Sequence, residues 1–181
     1  MTRRTIHEGR FLRFIEEDTW EFVQRRNCTG IVVIVSVTRK REAVLIEQFR
    51  RPVGKKVIEW PAGLVNDRKH AAEESFECAA KRELEEETGF RAGKIKRLMT
   101  GPVNCALTSD FVTFYLAQNL KKVSDGGGDE TEDITVRLVP LSKIESWLKR
   151  QEKRGFLIDP KVYTGLYFLK NKPQIPKHKQ K

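Results

Sequence analysis

Glu83, Glu86 and Glu87 lie at i, i+3 and i+4 in the run Arg82-Glu83-Leu84-Glu85-Glu86-Glu87. On a helix that spacing puts three carboxylates on one face, where they repel one another unless a cation sits among them. Oxygen donors suit a hard divalent ion, magnesium or manganese. Arg82 is placed to reach Glu86 one turn on and hold it, while Glu85 points elsewhere, to solvent. The charge run alone also fits an ordinary solvated acidic helix. Softer chemistry is poorly supplied. Cys28, Cys78 and Cys105 are far apart and odd in number, which gives neither a disulfide framework nor a CxxC knuckle. His7, His70 and His178 are too few and too scattered for a histidine-rich zinc site.

The residues around the three glutamates narrow the reading. From Glu74 the chain runs E-SFECAAK-R-E-L-E-E-E-T-G-F. This resembles the Nudix box, G-x5-E-x7-R-E-U-x-E-E-x-G-U with U apolar. Glu74, Arg82, Glu83, Leu84, Glu86, Glu87, Gly89 and Phe90 all fall in register. One departure is the opening glycine: Gly63 precedes Glu74 by ten residues, LVNDRKHAAE, where the pattern has five. The extra length falls in the loop before the helix, so it bears on the substrate side of the site and not on the carboxylate face. The resemblance implies an α/β/α sandwich, classed as α+β. It also implies metal-dependent hydrolysis of a nucleoside diphosphate linked to another moiety. By matching positions, Glu83 and Glu87 are the main metal ligands, Glu86 supports or shares an ion, and the Ala62 carbonyl adds an oxygen.

Other segments are similar to the ADP-ribose pyrophosphatase and nucleotide-sugar hydrolase branch, in the order TWEFVQR, AVLIEQFR, EWPAGLV, GGDETEDITV and DPKVYTGLYF. The likeness implies that Glu130, with Glu132 as substitute, activates the attacking water from a loop made mobile by Gly126-Gly127-Gly128. It gives Trp20 to the base and Arg50 to the diphosphate, with Arg25 and Arg51 as neighbours. Glu59 is assigned to a ribose hydroxyl or a metal-bound water, and Trp60 to packing. The branch further implies a homodimer exchanging N-terminal strands. Two readings compete: action on RNA 5′ ends or dinucleoside polyphosphates, and a non-catalytic module that binds RNA or senses ADP-ribose. The retained glutamates disfavour the second.

These residues need a scaffold. The segment from about His70 to Thr88 lacks Gly and Pro and is rich in Ala, Glu, Lys and Leu, which predicts a helix ended by Gly89. Phe76, Ala80 and Leu84 give it an apolar ridge. Period-two alternation over 5–16 and 19–25 predicts an N-terminal antiparallel pair turning near Asp18. GIVVIVSV, AVLIEQF, VIEW, KIKRLMT, FVTFYLAQ and ITVRLVPL read as further strands, with LSKIESWLKRQ and DPKVYTGLYFLK as closing helices.

With 181 residues and 39% hydrophobic content, the chain suits one core domain with small extensions. The expected division is 1–27 as the exchanging strand pair, 28–170 as the catalytic domain and 171–181 as a basic flexible tail. The net charge of +10 raises the question of nucleic acid. Half of it, however, is five lysines from Lys170 onward, whereas residues 63–90 hold eight acids against four bases. Nucleic acid is therefore not the expected partner. No apolar run approaches the roughly 18 residues that span a bilayer, and MTRRTIHEGRF lacks the apolar middle of a secretory signal. A cytoplasmic protein without a membrane partner is expected.

Overall fold

The computed structural model describes residues 2–67, 73–128 and 133–171. Glu130, Glu132, part of the insertion and the basic tail lie outside the described residues. The N-terminal region is three strands rather than the pair expected: β1 (Arg3–Glu8), β2 (Leu12–Glu17) and β3 (Trp20–Arg25), antiparallel in that order. Gly9 divides the first alternating stretch, its N–H donating to the Leu12 carbonyl at 2.8 Å as the chain turns back. Asp18 takes the second turn at a φ of 52°, a conformation its short polar side chain tolerates.

Eight more strands and α1 follow: β4 (Gly30–Ser36), β5 (Glu42–Arg50), β6 (Lys55–Glu59), β7 (Ala62–Val65), α1 (Phe76–Thr88), β8 (Phe90–Arg91), β9 (Lys94–Pro102), β10 (Phe111–Gln118) and β11 (Lys121–Lys122). The described chain closes with β12 (Thr135–Pro140), α2 (Ile144–Lys153), β13 (Leu157–Ile158) and α3 (Pro160–Lys170). One four-stranded sheet has the order β7-β4-β10-β9 and the other β12-β5-β6-β13. β4 with β10, and β6 with β13, are parallel; their neighbours are antiparallel.

The apolar run of β4 serves two cores at once, as expected of a strand covered on both faces. Val33 and Val35 point to one core with Leu45, Trp60, Leu148 and Val162, under α2 and α3. Val32 and Ile34 point to the other with Ala79, Ala80, Leu84 and Tyr115, under α1. Helices therefore flank the sheets on both sides, the α+β sandwich read from the sequence. No helix among the described residues is long and apolar enough to cross a membrane.

Helix α1 starts later than propensity indicated. Residues 73–75 are not helical, and the Ser75 side chain caps the N-terminus by accepting from the Cys78 N–H at 3.2 Å. Gly89 ends it in the left-handed conformation at φ 70°, its N–H donating to the Glu85 carbonyl. After Trp60 the chain forms β7, which pairs Ala62 and Gly63 with Val33 and Val32 and runs beside α1.

Candidate active site

Arg82 is the hub of the α1 face. Its Nε and Nη2 donate to the two Glu74 oxygens at 2.9 Å, and Nη2 also donates to the Leu64 carbonyl at 3.0 Å. Nη1 donates to Glu83 Oε1 at 2.6 Å and to Glu86 Oε2 at 3.1 Å. One guanidinium thus joins the start of the motif to two of its later carboxylates. It carries the i+4 contact to Glu86 read from the spacing and three contacts, to Glu74, Leu64 and Glu83, that the spacing did not give. Glu87 is only 2% exposed, and its Oε2 accepts from the Ala62 N–H at 3.0 Å. What the structure shows at Ala62 is this amide anchoring Glu87. Glu85 points away and pairs with Arg91, as expected.

Burial pushes the Glu83 carboxyl up to about 7, with Glu86 and Asp67 adding to the rise and Arg82 opposing it. Gly63 explains the closeness of strand and helix, since a Cβ there would overlap the Glu83 carboxylate. The lengthened loop after Gly63 therefore leaves the glycine in contact with the site. Its base is tied by Asn66, whose Oδ1 accepts from the Glu74 N–H and whose Nδ2 donates to Thr29.

A cavity of about 760 Å³ opens over this face, and its lining holds both acids, Glu59, Asp67, Glu83 and Glu86, and bases, Arg25, Arg50, Arg82 and Lys161. Arg50 grips Glu59 through two bonds, Nε to Oε2 at 2.6 Å and Nη2 to Oε1 at 3.1 Å. Burial raises the Glu59 pKa against the pull of Arg50. Glu59, assigned to substrate or metal water, is thus found holding an arginine on the cavity wall. Arg25 pairs with Asp110 at 3.2 Å, and Val23 beside it bonds through its backbone to Leu107 and Ser109. This ties the N-terminal sheet to the β9–β10 connection.

Two assigned residues do not reach the cavity of their own chain. Trp20 is 61% exposed at the far end of β3 from Arg25. Arg51 turns outward in the short 3-10 segment after β5, among exposed residues. Trp60 is packing, as read: 1% exposed, with its Nε1 donating to the Val162 carbonyl. Lys161 was missed. It stands in the first turn of α3, where Asp159 caps the helix by accepting from the Lys161 N–H and pairs with its ammonium. Asp-Pro marks a helix start in the sequence, but not the direction in which the following lysine points.

The Gly126-Gly127-Gly128 run lies against the end of α1. Gly127 N–H donates to the Glu87 carbonyl at 2.9 Å and Gly128 N–H to the Glu86 carbonyl at 3.1 Å. A Cβ at Gly126 would run into the Thr88 and Gly89 backbone, so close approach, not mobility, requires glycine there.

The donors offered to a metal are all oxygens. Among the described residues no three acidic, histidine or cysteine side chains are gathered tightly enough to hold an ion as they stand, with the Arg82 guanidinium bridging Glu83 and Glu86. The set nonetheless fits a hard cation. Burial disfavours the charged form of Glu83, and a divalent ion among the carboxylates would supply the positive charge they lack.

A model of the NUDIX domain matches residues 27–159. The chain belongs to the Nudix family. Among its relatives, the ADP-ribose pyrophosphatase of Bacillus subtilis is 30% identical over 151 residues, 83% of this chain and 77% of that one. The methanol dehydrogenase activator of Bacillus methanolicus is 30% identical over 150 residues, 83% and 76% of the two chains. A GDP-mannose pyrophosphatase of Escherichia coli K12 is 28% identical over 133 residues, 69% and 66%. Among solved structures, an ADP compounds hydrolase superposes with a TM-score of 0.69 over 94% of this chain and 90% of its own, at 21% identity. At that identity the superposition speaks to the Nudix fold alone.

Proposed function

We propose that this Nudix protein hydrolyses the diphosphate bond of ADP-ribose and related nucleoside diphosphate sugars, giving a nucleoside monophosphate and a sugar phosphate. The observation that carries the reading is one cavity lined both by the carboxylates of Glu83 and Glu86 and by the cations of Arg25, Arg50 and Lys161. A diphosphate needs both, cations for its own oxygens and carboxylates for the metal that travels with it. The relatives named for ADP-ribose and GDP-mannose pyrophosphatase activity support the substrate class.

Glu83, Glu86 and Glu87 would hold magnesium or manganese, with Ala62 beside them. When bound, the ion neutralises diphosphate charge and makes water a better nucleophile. Arg50, braced by Glu59, grips phosphate oxygens with its planar fork; Arg25, Lys161 and, more distantly, Arg51 add positive charge. Glu130, or Glu132 in its place, accepts a proton from the attacking water. The water oxygen bonds to phosphorus as the bridging P–O bond breaks, and the proton is returned to solvent.

The same reading makes the protein a cytoplasmic homodimer. Ile6, Phe11, Leu12 and Trp20 are large apolar side chains left at least 43% exposed on the N-terminal sheet. Exchange of this sheet would cover them and bring Trp20 to a partner's substrate base. Sedimentation of a fully active monomer at micromolar concentration would contradict this part.

The test is a panel of ADP-ribose, GDP-mannose, UDP-glucose and capped RNA with magnesium, products identified by mass. AMP with ribose phosphate from ADP-ribose is expected. Cleavage confined to capped RNA would transfer the reading to RNA 5′ ends, and binding without cleavage would make the protein a sensor.

A further inference from the structure

Helix α1 ends at Thr88 without a basic residue in its last turn, which instead carries Glu85, Glu86 and Glu87. The carbonyl end of a helix is its negative pole, and while Glu85 pairs with Arg91 and Glu86 with Arg82 through their side chains, the terminal carbonyls still face outward. Lys122 on β11 brings a cation to the terminal carbonyl itself. Its ammonium donates to the Thr88 carbonyl and to the Asp125 carbonyl, both at 3.0 Å, and lies 5.1 Å from the centre of the Phe90 ring. The backbone continues the attachment. Val123 and Ser124 N–H donate to the Gly89 carbonyl, Gly127 N–H to that of Glu87 and Gly128 N–H to that of Glu86. Gly89 and Gly126 lie backbone to backbone, with no room for a Cβ on either.

The consequence is geometric. Residues 122–128 form a bracket clipped to the carbonyls of Glu86 and Glu87, the residues whose carboxylates serve the site, and the bracket delivers Gly128 to the cavity wall. We infer that Lys122 is a positioning residue for hydrolysis. By pinning the bracket to the end of α1, it fixes the cavity wall at Gly128 relative to the metal-facing glutamates. This rests on the reading above that the cavity hydrolyses a diphosphate.

Lys122→Met keeps the aliphatic stem over Phe90 and removes the ammonium. A displacement of about 1 Å in a catalytic group lowers turnover by up to roughly a hundredfold. The expected result is a kcat on ADP-ribose lower by on the order of ten- to a hundredfold, with KM within about twofold because the phosphate-gripping residues are untouched. Amide exchange at Gly127 and Gly128 should accelerate by on the order of tenfold or more while the α1 interior keeps its protection. Lys122→Arg retains a cation with several donors and should recover most of the turnover. Lys121→Met, on the neighbouring exposed residue, should behave as wild type.

Wild-type kcat and unchanged exchange in Lys122→Met, or an equal loss in Lys121→Met, would overturn the inference. If Lys122→Met melts below the assay temperature, Lys122→Gln, with a neutral donor on a shorter stem, takes its place under the same criteria. A wild-type enzyme that releases no AMP overturns the proposed substrate instead, and exchange at Gly127 and Gly128 still decides the bracket.

Discussion

Glu83 on α1, half-buried, and Glu47 on β5, buried, are both glutamates paired with arginine, and their surroundings shift their pKa values in opposite directions. Burial works to raise Glu47, but hydrogen bonds from Arg137 at 2.7 Å and Lys56 at 3.0 Å outweigh it, and its pKa falls below the ordinary 4.5. Glu83 shares its one arginine with Glu74 and Glu86, has Asp67 nearby, and is pushed up to about 7. Glu47 has two cations of its own; Glu83 has a third of one. A carboxylate fully partnered within the protein stabilises the fold, whereas one left short of positive charge awaits a ligand that brings it.

Exchanging each glutamate for glutamine tests that contrast most strongly. Glu83→Gln should lower magnesium-dependent turnover by more than the roughly hundredfold typical of losing an outer partner of a metal ligand. It should leave the metal-free melting temperature unchanged or higher, because a poorly compensated charge has been removed. Glu47→Gln should do the reverse. Turnover stays near wild type, while stability falls by about 1–3 kcal/mol, since a charged hydrogen-bonded acceptor is lost from a site where Arg137 and Lys56 still reach water. Thermal melts beside steady-state assays read both.

The opposite shifts also predict opposite pH behaviour. The raised Glu83 pKa means the folded state holds its proton more tightly, so this contribution to stability is complete below 4.5 and is lost as pH rises through about 7. The lowered Glu47 pKa gives stability that is complete above 4.5 and lost as pH falls through the folded value. In chelator, the melting-temperature gap between Glu83→Gln and wild type should therefore widen in the variant's favour from pH 5 to pH 8. The deficit of Glu47→Gln should shrink as pH is taken well below 4.5. Identical profiles for the two variants would dissolve the contrast.

Gly63→Ala sharpens the same point. Its Cβ would overlap the Glu83 carboxylate, displacing the glutamate without removing it. Turnover should fall by on the order of tenfold or more, with magnesium required at higher concentration. Normal metal dependence would show that the Glu83 position is not critical. The smallest effect is expected at Glu59→Gln, which weakens the brace on Arg50. KM should rise several-fold, by about 1 kcal/mol of lost orientation, with kcat little changed.

The sequence carried the helix, its carboxylate face and most long strands because each is a local pattern. Apolar period, Gly89 and the 82–87 spacing need no knowledge of the rest of the chain. It carried much less about long-range direction. Arg82 reaching back to Glu74 and Leu64, Glu59 holding Arg50, and Lys161 entering the cavity all depend on how β6, β7 and α3 come together. The contacts of the glycine run were hidden for a related reason. Composition alone cannot separate a glycine that moves from one against which another backbone lies, and Gly126 is the second kind. Trp20 and Arg51 fail to reach the cavity of a single chain, and the family likeness could not say whose cavity they serve.

The most direct measurement compares AMP release from ADP-ribose by wild type, Glu83→Gln and Glu47→Gln, each titrated with magnesium from a chelated start. Wild type and Glu47→Gln should both gain full activity as magnesium is added, and Glu83→Gln should remain near background throughout. Magnesium-independent release by the wild type, or a Glu83→Gln curve matching it, would contradict the assignment of the α1 carboxylates to a metal-dependent diphosphate site.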